Sequence, residues 1–159
     1  MAHRSTSLTI ADCPSAAITA RKFLILTCPP TERTPNVIYS ENLSTSLFLE
    51  AIKAWNAHLH VFVQTIPTLH PDASVRLYDS DQFFNYALDH HAALGFPEEN
   101  TYYCPSYIEI RGQPELHLPE CRQALKHTFW LNSYHPTWPV HKYMSLGAHL
   151  CFSPFSSMR

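Results

Sequence analysis

Glycine is scarce: the 159 residues contain only Gly95, Gly112 and Gly147. A phosphate-cradling P-loop needs at least two glycines around a Gly-Lys-Ser/Thr, and a dinucleotide fingerprint needs three within six positions, so both are excluded. No glycine stands at the spacing of a Gly-x-Ser-x-Gly nucleophile elbow either. Charge of one sign is also missing. Eleven Lys+Arg against 13 Asp+Glu give a net charge of −2 and no basic stripe, which makes nucleic acid a poor partner.

Long apolar runs are absent as well. The longest lie near Phe23–Leu26 and His60–Val63, far short of the roughly 18 residues of a membrane span. Met1–Ser15 has no apolar stretch before Asp12 and Pro14 and does not read as a secretory signal; residues 1–13 are expected to be disordered. The five cysteines (Cys13, Cys28, Cys104, Cys121, Cys151) form no Cys-x-x-Cys pair, which leaves neither a zinc ribbon nor a thioredoxin-type motif. Cys104 and Cys121 flank one loop-like stretch. Two readings of that pair stand open, a disulfide and two part-buried free thiols.

What is present reads as one α/β domain. Arg21–Thr27 is a short apolar run ended by Cys28-Pro29-Pro30, as in a buried parallel strand. Pro14–Ala20 before it suits the last turns of a helix with Asp12 as N-cap. After a polar link, Thr31–Ser40, the spacing of Leu43, Leu47, Ile52, Trp55, Leu59 and Phe62 predicts an amphipathic helix from Glu41 to about Thr65. Asp72–Asp79 alternates like a second strand, and strand, long helix, strand implies a right-handed crossover and a parallel pair. A helix is expected over Ser80–His91, stopped short of Gly95 and Pro97, then an irregular loop over Asn100–His127. The last helix should run from Pro139 to about Cys151 with Val140, Tyr143, Met144 and the Ala148/Cys151 side inward. Two strands alone leave two sheet edges and too little covered face, so the chain reads as part of a larger sheet.

The block Phe129-Trp130-Leu131-Asn132-Ser133-Tyr134-His135-Pro136-Thr137-Trp138-Pro139-Val140-His141 resembles the last conserved block of fungal and plant GDSL-type lipases and esterases, including carbohydrate esterase family 16. That block reads roughly Phe-Trp-x-Asp-x-x-His-Pro-Thr before a helix. Supporting segments follow the family's order: Ala20–Leu24 with Pro29-Pro30 and Arg33-Thr34-Pro35, then Trp55-Asn56, Leu77–Ser80, Gly95-Phe96 and Tyr103-Cys104. The similarity runs from about Ala16 onward. It implies a three-layer α/β/α sandwich, the flavodoxin-like SGNH hydrolase fold, with its N-terminal strands missing and its site at the carboxyl ends of the parallel strands. A small ester or acetylated carbohydrate is the implied substrate, with no cofactor; members of the family are often secreted.

By the resemblance, His135 falls on the general base that takes the serine proton and returns it to the leaving alcohol. The family's orienting Asp corresponds to Asn132; a carboxylate holds the imidazole in one tautomer and stabilises the imidazolium, whereas an amide supplies no charge, and in serine proteases such a change costs about 10⁴ in kcat. Asn132 can equally be a turn residue making an Asx bond. The family's Gly-Asp-Ser nucleophile block and its oxyanion-hole Gly and Asn cannot be placed in this sequence. The expectation is a truncated, inactive esterase; the other readings are a non-catalytic remnant serving as a binding or structural module, and a chain that does not fold by itself.

Phe129, Trp130 and Trp138 are candidates for an acyl or sugar pocket, with plain core the better reading. Asp79 and Asp81 follow a strand end where such sheets bind ligands, although an N-cap accounts for Asp81 equally well. The close pairs His58/His60, His90/His91 and His135/His141 lack the i, i+4 spacing with an acid between that a zinc helix uses, so no metal is expected.

Overall fold

Two short apolar strands and the long helix between them organise the first half of the chain. In the computed structural model, residues 20–108, 113 and 115–152 are described, side chains as far as Leu150. The helix expected over Pro14–Ala20 and the disorder expected over residues 1–13 lie outside these residues, except for Ala20, which is exposed and in no regular element. Strand β1 (Lys22–Leu26) pairs in parallel with β2 (Ser74–Tyr78), in a register from Lys22 opposite Ser74 to Leu26 opposite Tyr78. Among the described residues the fold is thus mixed α/β with a two-stranded parallel sheet, and β1, expected to be buried, is only half-buried over Phe23–Ile25 and exposed at both ends, because a sheet of two strands leaves it an edge.

The crossover helix α2 spans Thr45–Leu69, four residues later at both ends than the spacing indicated. Its start is set by Ser44, whose hydroxyl accepts from the Leu47 N–H at 3.4 Å. Near its end Pro67 is tolerated, and the His70 N–H closes the last turn on the Ile66 carbonyl at 2.7 Å. The buried and half-buried residues Ile52, Asn56, Leu59, Val63 and Ile66 form one stripe at spacings of four and three. Leu43, Leu47, Trp55 and Phe62, expected on the inward face, are exposed instead, Leu47 at 72% and Trp55 at 63%. Two strands are too narrow to cover the whole apolar arc of this helix, and only its central stripe finds a partner.

The link expected over Thr31–Ser40 is structured. Thr31–Arg33 makes one tight 3₁₀ turn and Pro35–Ile38 forms a single helical turn, α1, with Pro35 fixing its first φ. After β2, α3 runs Ser80–Asp89, and its N-cap is Asp79 rather than Asp81: the Asp79 Oδ1 accepts from the Gln82 N–H at 2.9 Å. The chain turns over His90–Gly95, where Gly95 at φ 92° supplies a conformation that side chains disfavour.

The final helix, α4, spans Trp138–Phe152. Val140 is buried and Met144 packs beside it, whereas Tyr143, expected inward, is 40% exposed and donates its hydroxyl to the Leu94 carbonyl at 3.3 Å. The Cys151 side chain lies outside the described residues. Gly147 lets α4 approach β2: a Cβ there would stand 2.6 Å from the Tyr78 hydroxyl. The main core joins Phe84, Ala87 and Leu88 of α3 to Phe96, Phe129, Trp130 and Val140.

A second cluster, Cys104, Tyr107, Cys121 and Leu125, lies within the expected irregular loop, which carries 3₁₀ turns at Pro105–Tyr107 and Leu125–His127. Cys104 and Cys121 are disulfide-bonded with Cα atoms 5.7 Å apart. The buried Tyr107 hydroxyl bonds to the Gln123 carbonyl at 2.7 Å, tying the two arms of the loop together.

Candidate functional site

The segment leading to His135 is shaped by main-chain bonds that its sequence makes available. Trp130 bridges to Tyr103 on one side and to Pro136 on the other, and its indole N–H donates to the Asn100 carbonyl at 2.6 Å. The Leu131 N–H reaches the His135 carbonyl at 2.8 Å, closing residues 131–135 into a tight loop. Thr137 anchors the exit: its N–H bonds to the Phe129 carbonyl at 2.9 Å and its buried hydroxyl to the Thr128 carbonyl at 2.7 Å. Helix α4 starts at the next residue.

Within this loop Asn132 does two things. Its Oδ1 accepts from the Tyr134 N–H at 2.9 Å and the His135 N–H at 2.8 Å, the Asx turn that its position allows. The same atom lies 3.1 Å from the His135 Nδ1. Two backbone donors converge on it, so it must be the amide oxygen and not the nitrogen. An oxygen acceptor opposite Nδ1 requires Nδ1 to carry the proton, which leaves Nε2 of the neutral ring as the basic nitrogen. The ring is exposed, with the Tyr134 ring centred 6.4 Å away.

The aromatic candidates separate. Phe129 and Trp130 are core, their ring centres 5.1 Å apart, while Trp138 is 48% exposed with the Lys142 ammonium 6.0 Å from its ring centre. Trp138 is therefore neither core nor the wall of an enclosed pocket. Among the described residues no group of three or more His, Cys, Asp or Glu is placed to hold a metal ion, and no helix is long and apolar enough to cross a membrane.

The strand ends carry a second polar group. The Thr27 hydroxyl lies 3.2 Å from Asp79 Oδ1 and accepts from the Asp81 N–H at 3.0 Å, and the Ser80 hydroxyl donates to the Thr27 carbonyl. The Asn56 side chain, on the inward stripe of α2, mimics a strand: Oδ1 accepts from the Cys28 N–H at 2.7 Å and Nδ2 donates to the Cys28 carbonyl at 2.9 Å. Burial pushes the Cys28 thiol up, and the carboxylates of Asp81 and Glu32 push the same way. Asp81 is itself raised, by burial first and by Asp79 second.

Residue-type reasoning passed over the connection between these two regions. The Asn36 N–H of α1 donates to the Ser133 carbonyl at 2.9 Å, so the segment after β1 holds the loop that bears His135. Arg33 fixes that segment to α3 through Asn85 Oδ1 at 2.9 Å and Asp89 Oδ1 at 2.6 Å. A main-chain bond leaves no mark on side-chain identity. Asn56 did leave one, a polar residue amid an apolar stripe. No family model matches the chain, and no curated protein matches it.

Proposed function

We propose that this chain carries the histidine-bearing part of an SGNH-type serine ester hydrolase, with His135 as the general base and Asn132 as its orienter. The observation that carries the reading is the 3.1 Å approach of His135 Nδ1 to a side-chain oxygen three residues earlier. It leaves Nε2 free to take a proton from a serine hydroxyl as that oxygen attacks an ester carbonyl, and then to hand it to the departing alcohol. Asn132 fixes the tautomer but adds no charge to stabilise the imidazolium.

The two parallel strands, flanked by α2 and α4, fit the three-layer α/β/α sandwich, with further strands covering the exposed apolar side of α2. By the resemblance of the Phe129–His141 block, the substrate is a small ester or an acetylated carbohydrate. These 159 residues contain no Gly-Asp-Ser, so the chain as it stands turns over no ester through a serine of that block. A second reading, a non-catalytic remnant serving as a binding or structural module, is favoured by the Asx turn, because Asn132 has a structural task toward the backbone that does not involve the His135 ring.

Hydrolysis of p-nitrophenyl acetate by the folded chain and by His135→Ala is the first test. Equal background rates are expected, and turnover lost only in the variant would contradict the absence of a nucleophile. The family reading is tested by sequencing the transcript upstream. An in-frame Gly-Asp-Ser is expected, and the extended protein should hydrolyse the ester, lose that activity in His135→Ala, and gain in Asn132→Asp by less than the about 10⁴-fold that a serine protease loses when its Asp→Asn change also sets the wrong tautomer. An upstream frame without that block would overturn the reading in favour of the remnant.

A further inference from the structure

Glu32 stands out in the strand-end region. It is only 6% exposed, and its Oε2 has no hydrogen-bond partner among the described residues. An ionised carboxylate there leaves Oε2 without a donor to replace water, whereas a neutral acid tolerates the site far better. The groups that face it come from every neighbouring element. Asp81 approaches from α3 with like charge, and the Cys28 thiol lies on the loop after β1. Arg33 of the same turn is engaged by Asn85 and Asp89, and Lys53 of α2 lies 3.4 Å from Glu50. Burial is the main cause holding the Glu32 carboxyl above its ordinary value of 4.5; Asp81 adds to the rise, while its own backbone N–H, Arg33 and Lys53 oppose it.

The turn is joined to the His135 loop by a short chain of bonds. Both the N–H and the hydroxyl of Thr34 bond to the Thr31 carbonyl, at 3.1 and 2.7 Å, α1 follows directly, and its Asn36 N–H holds the Ser133 carbonyl at 2.9 Å. We propose that Glu32 is a pH-sensitive anchor: as a neutral acid it keeps residues 31–38 seated, and on ionisation it releases them and breaks the Asn36–Ser133 bond. This control over the His135 loop does not depend on the esterase reading.

The seated form holds the proton more tightly than the released form, whose carboxyl has the ordinary value. Release is therefore least at and below that value, and increases about tenfold per pH unit until the raised value is reached. Amide hydrogen exchange on the full chain, followed by NMR from about pH 4 to 8 and corrected for the intrinsic rate, reads it directly. Protection at Asn36 is expected to fall as pH rises from the ordinary carboxyl value to the raised one, and to level off above it. Protection at Tyr107, bonded to Cys104 in the other cluster, should hold. The variant Glu32→Gln should make the Asn36 protection independent of pH. Constant protection in the native chain, or the same fall in Glu32→Gln, would overturn the proposal. If Glu32→Gln does not fold, Asp81→Asn decides: loss of the like charge should move the fall to lower pH, and an unmoved midpoint would overturn the proposal.

Discussion

The strand–helix–strand half and the disulfide-closed half bury their apolar residues to different degrees. In α2, 25 residues long, only Ile52 and Ile66 are buried, and Leu47, Trp55, Phe62 and Leu69 face outward. The region from Phe84 to Val140 instead packs two clusters, one aromatic and one built around the Cys104–Cys121 bond. The contrast shows that long helices and strands do not by themselves bury more apolar surface. Burial here concentrates where irregular backbone is cross-linked and its carbonyls are met by Tyr107 and Trp130.

Substitutions should expose this difference in urea unfolding. The largest loss is expected for Trp130→Ala, about 3–5 kcal/mol, since it empties the aromatic cluster and frees the Asn100 carbonyl. Cys121→Ser should cost about 3 kcal/mol by reopening a loop with a sequence separation of 17. Ile52→Ala, at the centre of the α2 stripe, should cost about 2–4 kcal/mol, whereas Trp55→Ala should change stability by less than about 0.5 kcal/mol. Equal losses from Ile52→Ala and Trp55→Ala would break the comparison. A Trp55→Ala loss of about 2 kcal/mol or more that appears only in an upstream-extended protein would sharpen it, by showing that added strands cover that face. The smallest effect is kinetic: Cys28, with its thiol pushed up by burial, should be alkylated more slowly than an exposed thiol at the same pH, as peptide mass mapping would show.

The existence of β1, α2, β2 and α3 was legible from their apolar spacing, but the inward face of α2 was not, since the residues that pack there include the polar Asn56 while Leu47, Trp55 and Phe62 face outward. The start of α2 was misplaced because the Ser44 cap outweighs the earlier apolar residue Leu43. The structured turns over Thr31–Ile38 were missed because they are short and held mostly by backbone bonds, which leave no apolar period to read. At the site, the spacing of Asn132 and His135 was legible and their side chains do meet. The hold on Ser133 from Asn36, across almost a hundred residues of sequence, was not. Trp138 reads as an apolar residue beside a core block, yet it sits on the outer side of the first turn of α4.

The account rests most directly on the tautomer that Asn132 imposes on His135. Nitrogen-15 NMR of the ring, recorded above the imidazole titration, should show a protonated Nδ1 and a bare Nε2, with that preference lost in Asn132→Ala. A proton on Nε2 in the native chain, or a mixture of tautomers unaltered by Asn132→Ala, would contradict it.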